Sequence, residues 1–291
     1  MRGDALSQYC GVDTGGSYCR EDRLIRPCLF VNGGKTMKVS MGTALKASLV
    51  AAGLATLPSV ANAATTMLAA TDYVGISFWT ISMAMMAAAI FFLMEAGRLP
   101  GKWKTAMTIG ALVQIVAAVH YFYMRDVWVT TGDTPTVYRY VDWLITVPLQ
   151  MVEFYFILAA VAAVSAGIFW RLMIGSLVML VAGYLGEAGL VNAWLGFVVG
   201  MAGWAYILYE IFAGEAGKVS AEAAPEAVQK SFGTMRMIVT VGWAIYPLGY
   251  FLGYLNGAAD AVTLNVIYNV ADVVNKIAFV GVIWAAANAE A

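Results

Sequence analysis

Charge is scarce in this chain of 291 residues: 12% are Asp, Glu, Lys or Arg, while 61% are hydrophobic and the mean hydropathy is +0.75. A soluble domain carries about 25% charged and 45–50% apolar residues. The balance points instead to a multi-pass membrane protein. With a formal net charge of −1 there is no basic excess, which argues against a nucleic-acid partner. Cysteine is confined to Cys10, Cys19 and Cys28, so the hydrophobic body contains no disulfide and no thiolate metal site. The nine-residue cysteine spacings match no zinc pattern, and the only histidine is His120, so no metal site is expected. What the chain does have is 16 Met, 9 Trp and 15 Tyr, side chains suited to helices packed in lipid or around an apolar ligand.

Residues 1–36 are polar, Gly-rich and irregular, and no regular structure is expected of them. Met37 opens a different pattern: Lys38 and Lys46 form a basic region, Ala47 to Leu57 a short apolar one, and Ala61-Asn62-Ala63 a small-residue cleavage site. The pattern predicts a signal peptide over 37–63, translation starting at Met37, and a body over 64–291. Residues 1–36 are then an upstream extension outside the native protein; a genuine short N-terminal extension is the alternative.

After Ala64, seven apolar segments follow, at about 73–95, 105–124, 137–160, 169–188, 192–213, 232–255 and 263–287, each near the 20 residues a bilayer core requires. The β-rich stretches Val127–Thr130 and Thr136–Tyr138 around Thr131-Gly132-Asp133 predict a short hairpin. Glu215 to Lys230 reads as the longest loop. No internal repeat and no second soluble domain are visible. With the first segment starting outside, the inner side carries Arg98, Lys102, Lys104, Arg171, Lys218, Lys230 and Arg236, and the outer loops only Arg125. This asymmetry follows the positive-inside rule. It places the N-terminus outside and the C-terminus in the cytoplasm.

The segments contain five ionisable residues that stand out: Arg139, Asp142 and Glu153 on the third, Asp272 and Lys276 on the seventh. Unpaired, at roughly 2.5–3.5 kcal/mol each, they would cost about 12–18 kcal/mol, as much as a typical net folding stability. They are therefore expected to face inward and compensate one another. Eleven residues at about 100° each make close to three full turns, so Arg139, Asp142, Thr146 and Glu153 share one helix face, with Glu153 about 16 Å from Asp142 along the axis. Lys276 lies near mid-membrane with Asp272 one turn before it. An amine with carboxylates on its outer side and another well inward is the minimal layout of a vectorial proton pump. A structural ion-pair cluster is the plainer alternative.

An amine-derived cation in such a site needs a nearby anion, which Asp142 and Asp272 supply. Glu153 has no evident cation on its face and is expected to hold its proton until it is needed. Thr146 sits one turn from Asp142, where its hydroxyl bonds either that carboxylate or its own helix backbone. Trp143, Trp243, Tyr246 and Tyr268 cluster near these groups and suit the walls of an elongated apolar ligand, although aromatics of this kind also serve as ordinary packing. Pro247 in mid-segment predicts a kink.

The run Arg139-Tyr140-Val141-Asp142-Trp143-Leu144-Ile145-Thr146-Val147-Pro148-Leu149, followed by Glu153, resembles the third helix of the microbial rhodopsins. Asp272-Val273-Val274-Asn275-Lys276 resembles their retinal-binding seventh helix, and Trp243 to Pro247 their sixth. The resemblance covers residues 64–291 and points to the proteorhodopsin branch. It implies an all-α seven-transmembrane-helix bundle with a retinal pocket, in which Lys276 carries all-trans-retinal as a protonated Schiff base. Asp142 is then the primary counterion and proton acceptor, Asp272 the second counterion, and Glu153 the proton donor from the cytoplasmic side. His120 resembles the histidine that couples to the counterion near a protomer interface, where it meets an aromatic of the neighbour's first helix, here Trp79. Homo-pentamers or homo-hexamers are implied. Gln150 stands where Gln resembles the blue-absorbing and Leu the green-absorbing variety.

The resulting expectation is a light-driven outward proton pump of the blue-absorbing kind: a transporter in the lipid bilayer, not an enzyme. Glu187 and Asp260 in the outer loops offer no evident paired-carboxylate release group. Two alternatives remain. A photosensor signalling through a partner would not need Glu153, and a non-photochemical solute transporter would take no colour from retinal.

Overall fold

The computed structural model describes residues 9–13, 16–21, 24–27 and 68–290. The chain divides into two compact units, residues 1–57 and 58–291. The start at Met37 and the signal peptide over 37–63 lie outside the described residues. In the first unit β1 (Tyr9–Asp13), β2 (Gly16–Glu21) and β3 (Leu24–Pro27) pair antiparallel in the order β1-β2-β3, with Cys10 opposite Cys19. Composition had suggested irregular chain here. Short neighbouring strands pair through their backbones, and polar ones leave no alternation of apolar residues to read.

In the second unit the helices are α1 (Tyr73–Arg98), α2 (Gly101–Thr131), α3 (Thr136–Ala159), α4 (Ala166–Glu187), α5 (Ala193–Phe212), α6 (Glu215–Ala223), α7 (Glu226–Met237), α8 (Ile245–Tyr250) and α9 (Ala261–Ala289). Together they make seven stretches long and apolar enough to cross a membrane. Each of the first five packs on the next, and α9 closes the bundle against α1, α2 and α7. Large apolar side chains such as Ile90, Met94, Val198, Val241 and Val274 lie on the outside, as a lipid-facing surface requires.

Local chemistry sets the ends of the elements. Asp72 caps α1 by accepting from the Gly75 amide at 2.8 Å, and the Trp128 indole donates to the same oxygen at 2.9 Å. The expected hairpin after Arg125 is absent: helix continues to Thr131, and Gly132, with φ 73°, ends it. Strand preference at Val127–Thr131 is weak against a helix already propagating in a packed bundle. The Thr130 and Thr131 hydroxyls bond back to Asp126 and Val127 carbonyls at 2.7 and 2.8 Å. The expected loop from Glu215 to Lys230 is also helical, being α6 and the start of α7 separated near Pro225.

The sixth span is broken as Pro247 predicts, but more elaborately. π-helical turns at Ile238–Gly242 and Phe251–Leu255 flank the short α8. Carbonyls loosened by the first wide turn find side-chain donors: Val239 from the Trp204 indole at 3.0 Å, Gly242 from the Asn275 amide at 3.0 Å. A Cβ at Gly242 would collide with the Asn275 side chain. Insertion of a side chain into the helical ladder is a recognised cause of such bends. α4 and α5 meet through glycine. A Cβ on Gly196 would lie 2.7 Å from the Ala182 carbonyl oxygen, and one on Gly203 2.8 Å from the Met179 nitrogen. Small residues let membrane helices approach backbone to backbone.

Candidate functional site

α3 and α9 bring their charged faces together as the spacing predicts. Lys276 Nζ lies 2.8 Å from Asp142 Oδ2 and 2.8 Å from Asp272 Oδ2, and all three side chains are at most 2% exposed. Two further donors fix Asp272: the Tyr246 hydroxyl at 2.7 Å and the Tyr121 hydroxyl at 2.9 Å. The Trp143 indole reaches both of its oxygens at 3.3 Å. Asp142 Oδ1 has no hydrogen-bond partner among the described residues. One carboxylate is thus held by a full set of donors and the other by the amine alone.

Arg139 does not pair with either carboxylate. Its guanidinium donates to Asn265 at 2.6 Å and Asn269 at 3.3 Å and sits 5.1 Å from the centroid of the Tyr268 ring. Thr146 turns its hydroxyl to the Asp142 backbone carbonyl at 2.9 Å, not to the carboxylate, so the backbone-bonded alternative is the one observed. Glu153, eleven residues past Asp142, is fully buried beside Gly110, and neither of its oxygens has a partner among the described residues. A Cβ at Gly110 would stand 2.9 Å from Glu153 Oε1, so glycine there makes room for the acid. His120 is half-buried and bonds through Nδ1 to the Val116 carbonyl of its own helix at 2.8 Å. Trp79 packs within the chain on Phe122, with ring centroids 5.4 Å apart.

A cavity of about 760 Å³, its open side included, reaches Lys276. Trp143, Trp243, Tyr246 and Pro247 line it, and α5 presents bare backbone at Gly196 and Gly200. Gln150 also lines it and donates to the Asn275 carbonyl at 3.4 Å. Tyr268 does not line the cavity; it stands against Trp143 at 5.7 Å between ring centroids, one layer back. A long apolar ligand ending at an amine fits these walls: flat aromatics along its length, and one buried nitrogen flanked by anions.

Residues 72–290 match the sequence model of the bacteriorhodopsin-like protein family. The chain belongs to that family. It is 53% identical over 216 residues to the green-light absorbing proteorhodopsin of Gamma-proteobacterium EBAC31A08, an alignment covering 74% of this chain and 86% of the relative. It is 52% identical over 241 residues to the blue-light absorbing proteorhodopsin of Gamma-proteobacterium Hot 75m4, covering 82% and 95%. Among solved structures, the blue light-absorbing proteorhodopsin from Med12 superposes with a TM-score of 0.66 at 50% identity, over 76% of this chain and all of that one. Members of this rhodopsin family bind retinal, and the chain is a multi-pass membrane protein of that kind.

Within this family fold, the structure adds site residues that sequence reading did not single out. Tyr121, Asn265, Asn269 and Asn275 all carry hydrogen bonds of the buried network. Tyr121 could have been found: it lies on the face of α2 that Gly110 defines. The asparagines carry no charge and so escaped a search for ionisable groups. A further ion pair was also missed, the half-buried Arg171 with the buried Glu210 at 2.8 Å, joined by Glu215 at 2.5 Å. Glu187 belongs to the last turn of α4, not to a loop, and borders the cavity.

Proposed function

We propose that the chain is a light-driven outward proton pump, blue-absorbing, with retinal linked to Lys276 Nζ. The observation that carries this is Lys276 Nζ held at 2.8 Å by two carboxylates, with a solitary buried acid eleven residues along α3 from one of them. The retinal supplies absorption of visible light and a change of shape that alters the surroundings of the attached nitrogen. Everything else falls to the chain. Trp143, Trp243, Tyr246 and Pro247, which line the cavity, would hold the retinal, with Tyr268 behind them. Asp142 Oδ1, the oxygen without a donor, takes the proton that leaves the Lys276 nitrogen. Asp272, tied to Tyr121, Tyr246 and Trp143, stays an anion and keeps a negative charge beside that nitrogen throughout. Arg139 sits beyond the pair and offers a positive charge on the release side.

Glu153, enclosed without a cation, holds a proton and returns it to the nitrogen. Because Asp142 and Glu153 lie about 16 Å apart along one helix, loss to one side and gain from the other moves a proton across the site. Thr146 fixes the local backbone of Asp142 between them. The positive-inside asymmetry supports a cytoplasmic location for the Glu153 end, in a bacterial inner membrane. The half-buried His120 and Trp79 support a homo-pentamer or homo-hexamer in which each meets a neighbouring protomer.

The test is the absorption spectrum of residues 37–291 expressed with all-trans-retinal. A blue-green band is expected, and Lys276→Ala should be colourless. A protein that never colours, or a coloured Lys276→Ala protein, overturns the reading.

A further inference from the structure

α2 carries a buried polar side chain that no role described above uses. Gln114 is fully buried on α2, and neither its amide oxygen nor its amide nitrogen has a hydrogen-bond partner among the described residues. Its direction follows from helix geometry. Gly110, four residues earlier, faces Glu153: a Cβ there would lie 2.9 Å from Oε1 and would also meet Val280 of α9. Tyr121, seven residues later, reaches Asp272, the carboxylate that also holds Lys276. At about 100° per residue, four residues advance by 40° beyond one turn and seven fall 20° short of two. Gly110, Gln114 and Tyr121 therefore form one stripe. At about 1.5 Å rise per residue, Gln114 stands about 6 Å along the axis from the level of Glu153 and about 10 Å from that of Asp272 and Lys276.

A buried primary amide with both ends unpartnered is uncommon, and such groups are normally satisfied by ordered internal water. An amide is also both donor and acceptor, so one Gln can fix water molecules on its two sides in a single orientation. We infer that Gln114 is a positioning residue of the inner proton path, holding the hydrogen-bonded file between the Glu153 carboxyl and Lys276 Nζ. The inference rests on the proton-pump reading of the preceding subsection. In the step it serves, the Glu153 O–H bond breaks, a proton passes along the file, and an N–H bond forms at Lys276. Glu153 is left as a carboxylate and is reprotonated from its own side. Gln114 itself gains and loses no proton.

The test compares wild type and Gln114→Leu, both loaded with retinal, by flash-induced proton uptake and by the infrared C=O stretch of the Glu153 carboxyl. Leu preserves much of the volume and removes the amide. The account expects an absorption maximum within a few nanometres of wild type, proton uptake slowed about tenfold or more, and a displaced Glu153 band. It also expects uptake to be restored by azide, a small weak acid that carries protons without the file. Unchanged uptake overturns the inference. So does slowed uptake that azide does not restore with the Glu153 band unmoved, since that marks a packing role only. If wild type itself takes up no protons after a flash, the pump reading fails instead, and the two failures are distinguished by that control.

Discussion

Asp142 and Asp272 hold the same amine at the same distance, 2.8 Å, but only Asp272 is bound by other side chains. Chemically equivalent groups are thereby made unequal. Asp272 accepts hydrogen bonds from three further side chains, whereas Asp142 Oδ1 has no partner among the described residues. In the proposed pump, the division of labour between acceptor and fixed counterion rests on Tyr121, Tyr246 and Trp143.

The Gln150 amide lies in the cavity wall with Lys276. A dipole near the charged end of the chromophore stabilises the ground-state charge and widens the excitation gap. Gln150→Leu should move the absorption maximum to longer wavelength by tens of nanometres. A maximum that stays in place in the purified, retinal-loaded variant removes Gln150 from spectral tuning.

Glu153→Gln keeps the size of the side chain and removes the proton. Positioned proton transfer contributes about 10²–10⁴-fold in typical sites, so flash-induced proton uptake should slow by at least about 100-fold, while the spectrum is retained. Time-resolved uptake with a pH-sensitive dye measures this directly. Uptake at the wild-type rate would mean that protons reach Lys276 by another way, as a photosensory role would allow.

Gly203 packs on the α4 backbone, where a Cβ would lie 2.8 Å from the Met179 nitrogen. Gly203→Val should force α4 and α5 apart, at a cost of roughly 1–3 kcal/mol for overpacking. The expected result is a lower thermal midpoint for loss of colour. A midpoint equal to wild type would show that the interface yields easily.

Asp260 caps α9 through the Thr263 amide at 2.7 Å, and that hydrogen bond holds its carboxyl below the usual carboxylate range. A carboxyl depressed in the folded state adds stability above its unfolded value of about 3.9, and the contribution disappears as pH falls through the folded value. Asp260→Ala should therefore denature more readily than wild type at neutral pH, and the gap should narrow as the pH falls below about 4. Asp260→Asn, which keeps a capping oxygen, should lie between them. Thermal unfolding across this pH range decides it.

Much of this was legible in the sequence, for identifiable reasons. A charge inside an apolar segment is expensive, so Asp142, Glu153, Asp272 and Lys276 announced themselves, and the 3.6-residue period of a helix put Arg139, Asp142 and Thr146 in line with Glu153. What stayed hidden is what carries no charge. Asn265 and Asn269 take the Arg139 guanidinium, which the sequence had been expected to pair with the buried carboxylates. Strand preference misread Val127 to Tyr138 because packing, not propensity, determines how far α2 runs. The wide turns around Pro247 depend on Asn275 and Trp204 donating across the bundle, contacts that no local pattern encodes.

The most direct measurement of the central claim is the pH of an unbuffered suspension of cells expressing the chain with retinal, recorded as the light is switched on. The account predicts acidification that disappears with an uncoupler and is absent in Lys276→Ala. No light-dependent change in wild type, or the same acidification in Lys276→Ala, would contradict it.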